Sequence, residues 1–309
     1  MTYPFGLPVS AKISVSDVLR AWSIQPRIVM PLAVASFAYL CGIRLTLVRH
    51  VRARWKASRT ACFFSGIAVV FVALESPIDS YADRLLSVHM VQHLLLMQVA
   101  PPLLLLGRPI TLALAASSGP VRARLSGFAH SPVARAIGSP LVGFSLFSVV
   151  LWASHFTPLY EATLTDESLH ALEHVVFLIA SMLFWWPVVA RDPGAARLSH
   201  PARLLYLFLA MPAMSLLGFV VSSSHRVLYA HYVVSSRVLG VSALADQRLA
   251  GTIMWESSML VSAVALSAVL LDWMHREQQE GLRADARRDR VGRELRAEPT
   301  AQSVEVEGT

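Results

Sequence analysis

The chain is poor in charge and in cysteine. Only 15% of its 309 residues are Asp, Glu, Lys or Arg, while 55% are hydrophobic. That is too little charge to give a soluble protein of this length an ordinary hydrated surface. Its two cysteines, Cys41 and Cys62, fall in apolar segments without close spacing, so no disulfide framework is expected. No N-terminal signal peptide is expected either. The first apolar run begins too late for one and is long enough to remain as a span. The net charge of +7 then points to membrane topology, and nucleic acid is not an expected partner.

What the chain does have is long apolar runs. Stretches of about 18 or more residues with few charges read as transmembrane helices. Seven are expected, at 28–48, 60–75, 85–106, 140–157, 169–189, 202–221 and 251–271. The expected fold is therefore an all-α integral membrane protein, a seven-helix bundle over 28–271. It is preceded by an extracytoplasmic segment, 1–27, and followed by a charged cytoplasmic tail, 272–309. Orientation follows from Lys and Arg in short loops, which mark the cytoplasmic side. Loops 49–59, 107–139 and 190–203 carry twelve of them, and the alternate loops 76–84, 154–168 and 222–250 carry four. The N-terminus is expected outside and the C-terminus inside.

The histidines follow this topology. His50, His130, His200 and His275 fall on the cytoplasmic side, and the other seven fall outside. His89 and His93 open the third span, His155 closes the fourth, His170 and His174 open the fifth, and His225 and His231 follow the sixth. Residues at i and i+4 share a helix face, so each H-x-x-x-H pair offers two imidazoles to one point. Ionisable groups within a span are costly and face the bundle interior or a hydrated cavity. Imidazole suits copper, zinc, iron and nickel. The bland alternative is that the histidines bond one another or backbone carbonyls.

Methionines lie nearby in sequence: Met90 and Met97 on the third span, Met214 on the sixth, Met254 and Met259 on the seventh. Thioethers beside imidazoles favour Cu(I) over zinc, although methionine is also a common packing residue. Asp79, Glu173 and Glu256 are candidate supplementary ligands or partners for the outer ring nitrogens. Pro101 and Pro102 free carbonyls near Met97 and Gln98 and bend the third span. Trp152, Trp185, Trp186, Trp255 and Trp273 lie near span ends, as interfacial belts do. The segment 222–250 is too polar to span and is expected as a lid or interfacial helix over the histidines.

Three functions fit these residues. One is a copper-handling protein that binds the ion at its outer face and passes it on. Another is an intramembrane zinc hydrolase, because 170-HALEH-174 has the H-x-x-E-H spacing in which two histidines hold zinc and the glutamate activates water. The last is a b-type haem protein with histidines from two helices. The number of histidines exceeds what one zinc uses, which leans towards binding rather than hydrolysis.

The runs 76-SPIDSYADRLLSVHMVQHLLLMQVAPPLLLLGRP-109, 169-LHALEHVVFLIASMLFWWPV-188 and 246-DQRLAGTIMW-255 resemble the CtaG-like membrane family, assembly factors of caa3-type cytochrome c oxidase. The likeness extends over most of 30–275. It implies seven spans, the bacterial plasma membrane, haem–copper oxidase subunits as partners, and a non-enzymatic role in supplying copper. Its motifs cover Asp79, His89, His93, His170, His174 and Asp246, whereas His155, His225 and His231 rest on topology alone. A different family of oxidase copper chaperones shares the CtaG name but works through paired cysteines on a soluble domain, which this sequence lacks. The expected metal residues are His89, His93, His170, His174, His155, Asp79 and Glu173, with copper as the ion and zinc as the alternative.

Overall fold

A computed structural model describes residues 20–49, 55–156, 158–190, 192–193 and 198–302. Most of the N-terminal segment, arginines at 52, 54, 191 and 197, and the last residues of the tail lie outside them. Among the described residues all regular structure is helical: α1 Pro26–Arg49, α2 Ala57–Glu75, α3 Pro77–Ala82 and α4 Leu86–Leu94; after a π-helical turn at Leu95–Val99, α5 Ala100–Leu106, α6 Pro109–Ala116, α7 Gly119–Ala129, α8 Pro132–Ile137 and α9 Pro140–Phe156; then α10 Pro158–Thr163, α11 Glu167–Val189, α12 His200–Ser223, α13 Ala230–Val238 and α14 Ala243–Gln302.

Among the described residues six segments are long and apolar enough to cross a bilayer: Pro26–Arg49, Ala57–Glu75, Leu86–Ala116, Glu167–Val189, His200–Ser223 and Ala243–Arg293. The expected fourth span is the apolar helix Pro140–Phe156, which at 17 residues falls just below that length. Many large side chains on these helices, among them Phe37, Leu141, Leu172, Phe208 and Leu260, face outward. In water such a surface would drive association; in a bilayer it meets lipid. The chain is an all-α, multi-pass membrane protein.

The chain divides into two compact units, Met1–Ser262 and Ala263–Thr309. The second is helical to Gln302 and carries an Asp272–Arg276 ion pair one turn apart. In the first unit α9 packs along α11 and α2 along α5. Two crossings are close enough to need glycine. A Cβ on Gly143 would lie 2.4 Å from the Leu183 carbonyl oxygen, and one on Gly251 would lie 2.4 Å from the Ser222 backbone nitrogen. Small residues at such crossings let membrane helices approach backbone to backbone. Gly251→Ala is therefore expected to destabilise by about 1–3 kcal/mol, read as a lower unfolding midpoint in detergent. Gly127→Ala, on an exposed helix with nothing within 4 Å of its Cβ position, is expected to be neutral or slightly stabilising.

The third span shows what Pro101 and Pro102 do. Pro101 has no N–H to give to the Met97 carbonyl, and the chain widens into the π turn, with Ala100 N–H bonded to the Leu95 carbonyl. The released Met97 carbonyl accepts the Trp185 indole N–H at 3.2 Å. Trp185 is thus buried in the bundle and does not join an interfacial belt; its N–H is used inside.

Candidate metal site

The histidine helix α4 begins at Leu85, whose side chain cannot cap it. Asp246, from the first turn of α14, supplies the cap from 160 residues away. It accepts the Leu86 N–H at 2.6 Å and also bonds the Ser87 hydroxyl. The neighbouring Gln247 accepts the Leu228 N–H at 2.7 Å and donates to the Arg226 carbonyl at 3.0 Å, tying down the start of the segment that leads to α13. Helix α11 is capped locally: Asp166 accepts from Ser168 and Leu169 N–H. These caps set the first turns of α4 and α11, at which His89 and His170 lie, with His93 and His174 one turn further along.

The pairs come together. His89 is fully buried and His93, His155 and His174 nearly so, while His170 is partly open. Ring centroids lie 5.3 Å apart for His89 and His170, 5.7 Å for His93 and His174, and 6.3 Å for His93 and His155. Ligand atoms of His89, His170 and His174 lie within 4.8 Å of one another, as do those of His89, His93 and Glu173. His89 belongs to both groups.

Hydrogen bonds fix which nitrogens carry protons. Burial pushes the Tyr232 hydroxyl pKa well above its usual range, so it remains a neutral O–H. That hydroxyl donates to the Ala82 carbonyl at 3.1 Å, and its oxygen accepts from His89 Nδ1–H at 2.7 Å. His89 Nε2 is then a bare acceptor. It faces His93 Nε2 at 2.8 Å, so His93 donates there and its Nδ1 is unprotonated. His155 Nδ1–H donates to the Leu151 carbonyl at 2.8 Å, which leaves its Nε2 bare. Holding one ring nitrogen in this way orients a metal-ligating histidine and raises the basicity of the other.

The bare atoms have no partners. Of the fourteen buried, unbonded side-chain polar atoms among the described residues, six are His93 Nδ1, His155 Nε2, His170 Nε2, His174 Nε2 and both Glu173 carboxylate oxygens. An unpaired buried polar atom costs on the order of 1–3 kcal/mol, and a folded bundle seldom gathers so many in one place. Three to five imidazoles with a carboxylate fit a borderline or soft cation, Cu(I), Cu(II) or Zn(II).

The other expected residues fall elsewhere. Asp79 joins neither ligand group; on α3 its Oδ1 accepts from Gln92 Nε2 at 2.8 Å, and Gln92 also donates to the Ala73 carbonyl. Glu256 is exposed on α14, so it is not a ligand candidate: its helix turns it away from the bundle. His225 is exposed, and His231 bonds the Asp83 carbonyl at 2.9 Å. The segment 222–250 does cover the cluster, through the buried Tyr229 and Tyr232 packed with Tyr160, Leu86 and Met90. Gln92 and the tyrosines were not legible as functional residues. The only signal for Gln92 is its place between the two histidines of an apolar helix.

Burial, together with the carboxylates of Asp83 and Glu75, raises the Asp79 pKa to about 6, against the lowering effects of the Gln92 bond and Arg27. The folded state thus holds this proton more tightly than the unfolded chain. Its contribution to stability is complete below about pH 4 and is lost as pH rises through about 6. Asp79→Asn keeps the Gln92 acceptor without the charge. The variant is expected to remove this pH dependence and to be more stable above pH 6 by up to about 2 kcal/mol, as thermal unfolding in detergent between pH 4 and 8 would show.

An uncharacterized protein of Mycobacterium leprae is 27% identical to this chain over 277 residues, which are 87% of the chain and 42% of the relative. Uncharacterized proteins of Mycobacterium bovis and Mycobacterium tuberculosis are each 28% identical over 284 residues, 89% of the chain and 43% of the relative. The chain thus spans less than half the length of these curated relatives. No solved structure matches it. The model of the cytochrome c oxidase caa3 assembly factor family (Caa3_CtaG) matches residues 37–276, and these residues hold every histidine of the cluster and its Asp246 cap: the chain belongs to that family.

Proposed function

We propose that the cluster of His89, His93, His170 and His174, with His155 and Glu173 beside it, takes up copper and releases it to a haem–copper oxidase during assembly. The observation that carries this reading is the set of unpartnered imidazole nitrogens, two of whose rings are oriented by a bond at the other nitrogen, His155 through Nδ1 and His93 through Nε2. Copper is cargo here. The residues bind it and let it go by ligand exchange, one imidazole at a time, and no substrate bond is made or broken. The hydrogen bond between His89 and His93 is what the ion displaces: His89 Nε2 turns to the metal, while the neutral His93 keeps its one proton at Nε2 and offers its unpartnered Nδ1, so the step balances without loss of a proton. The excess of basic residues in the alternate loops supports an outward-facing position for this end of the bundle in a bacterial plasma membrane, with the partly open His170 as the entry. Oxidase subunits are the receiving partners.

A zinc hydrolase is the second reading, supported by Glu173 lying with His170 and His174 on α11. The experiment that separates them uses a strain lacking the gene, complemented with wild type or with His89→Ala/His170→Ala. Copper delivery predicts that the variant fails to restore oxidase copper content and that excess copper in the medium bypasses the defect. Full complementation by the variant would overturn the proposal. A defect that added copper leaves unchanged, in a wild-type protein that retains zinc through purification, would favour the hydrolase.

A further inference from the structure

Beside the histidines lies a cavity of about 40 Å³, lined by Met90, Met97, Met214 and Met254 together with His93 and His155. Four of the chain's ten methionines therefore meet at one void, and they come from three separate helical segments. A methionine used for packing fills space, because its flexible thioether adapts to irregular gaps. Here four of them surround an opening with room for a few water-sized groups. The two imidazoles on its wall each hold a buried nitrogen without a partner, His93 Nδ1 and His155 Nε2, and both residues are only 4% exposed.

The surrounding structure holds this arrangement in place. The π turn before Pro101 carries Met97 and Gln98, and the Trp185 indole pins it through the Met97 carbonyl. Gln98 Nε2 lies 3.5 Å from Met214 Sδ and 3.4 Å from the Ser258 hydroxyl, tying the third, sixth and last spanning segments together at the cavity. Neutral thioethers are soft ligands that need no deprotonation. They suit Cu(I), and they bind Zn(II), Mg²⁺ or Ca²⁺ poorly.

We infer that this cavity is a second, thioether-rich Cu(I) site, joined to the histidine cluster through His93, which serves both. The inference rests on the copper reading of the cluster. The first site takes Cu(I) from outside and the second holds it, with no change of oxidation state, in a place that zinc does not enter. Selection for Cu(I) over Zn(II) is thereby built into the bundle, downstream of imidazoles that would accept either ion.

The test is anaerobic Cu(I) loading of the full chain in detergent, in competition with bicinchoninate, followed by copper X-ray absorption. The same loading is repeated with Zn(II). Wild type is expected to hold two Cu(I), with sulfur as well as nitrogen neighbours, and zinc with nitrogen and oxygen neighbours alone. Met97→Leu/Met214→Leu/Met254→Leu keeps side-chain volume nearly constant. It is expected to lose one Cu(I) and the sulfur signal while its Zn(II) loading stays unchanged, which also shows that it folds. Wild-type copper surrounded only by nitrogen and oxygen would overturn the thioether site and leave the histidine cluster standing, and this arm needs no variant. Wild type that holds no copper would overturn both.

Discussion

His174→Leu is expected to leave the metal-free protein at least as stable as wild type while abolishing much of the stabilisation that Cu(I) confers. His174 is buried with Nε2 unbonded, so the metal-free fold carries an unsatisfied polar atom at a cost of about 1–3 kcal/mol. A leucine of similar bulk removes that cost. Were the histidine a structural polar contact, the same change would break a bond and lower stability. With copper the order reverses. A ligand at a thousand times its dissociation constant stabilises the folded state by about 4 kcal/mol, and a site that has lost a ligand forfeits much of this. Unfolding midpoints of both proteins in detergent, with and without Cu(I), give the four numbers needed. His89 is the contrasting case. Both of its ring nitrogens are bonded, so His89→Leu is expected to lower stability in the metal-free protein as well.

The second large effect is expected at Asp246, which belongs to neither ligand group. Asp246→Ala removes the acceptor for the Leu86 N–H and the Ser87 hydroxyl and leaves them buried. Hydrogen bonds to a charged group are worth roughly 1.5–3 kcal/mol each, and the orphaned donors add to the loss. A destabilisation of about 3 kcal/mol or more is expected. Because the cap sets the first turn of α4, His89 and His93 lose their position with it, and copper affinity falls although no ligand has been touched. Asp246→Asn, which still accepts one bond, is expected to lie between wild type and the alanine variant. Equal stability of all three in thermal unfolding would show that Leu85 and its neighbours start the helix unaided.

Asp246 also marks where sequence reading stops. Two H-x-x-x-H pairs on apolar helices are visible because four residues is one helical turn, and burying four imidazoles in membrane helices demands a common interior. The effect of Pro101 and Pro102 is visible for the same reason: a missing N–H acts on a carbonyl four residues back. Relations across the chain have no such period. Nothing in 246-DQRLAGTIMW-255 says that its aspartate caps a helix beginning at Leu86, nor that Tyr232, in a segment too polar to span, sets the tautomer of His89. Burial misled where composition alone was used. Trp185 lies near a span end yet faces inward to a carbonyl that the π turn releases, and Glu256 lies in a span yet faces out. The span at 140–157 is readable as apolar, but the helix ends at Phe156 with 17 residues, placing His155 in its last turn, against the other pairs.

The most direct measurement is the metal content of the detergent-purified protein by mass spectrometry, after separate loading with Cu(I) and Zn(II), for wild type and His93→Ala/His174→Ala. A shared copper site predicts stoichiometric copper in wild type and its loss in the double variant. Equal copper in both proteins, or none in either, would contradict it and would leave the clustered imidazoles as polar contacts within the bundle.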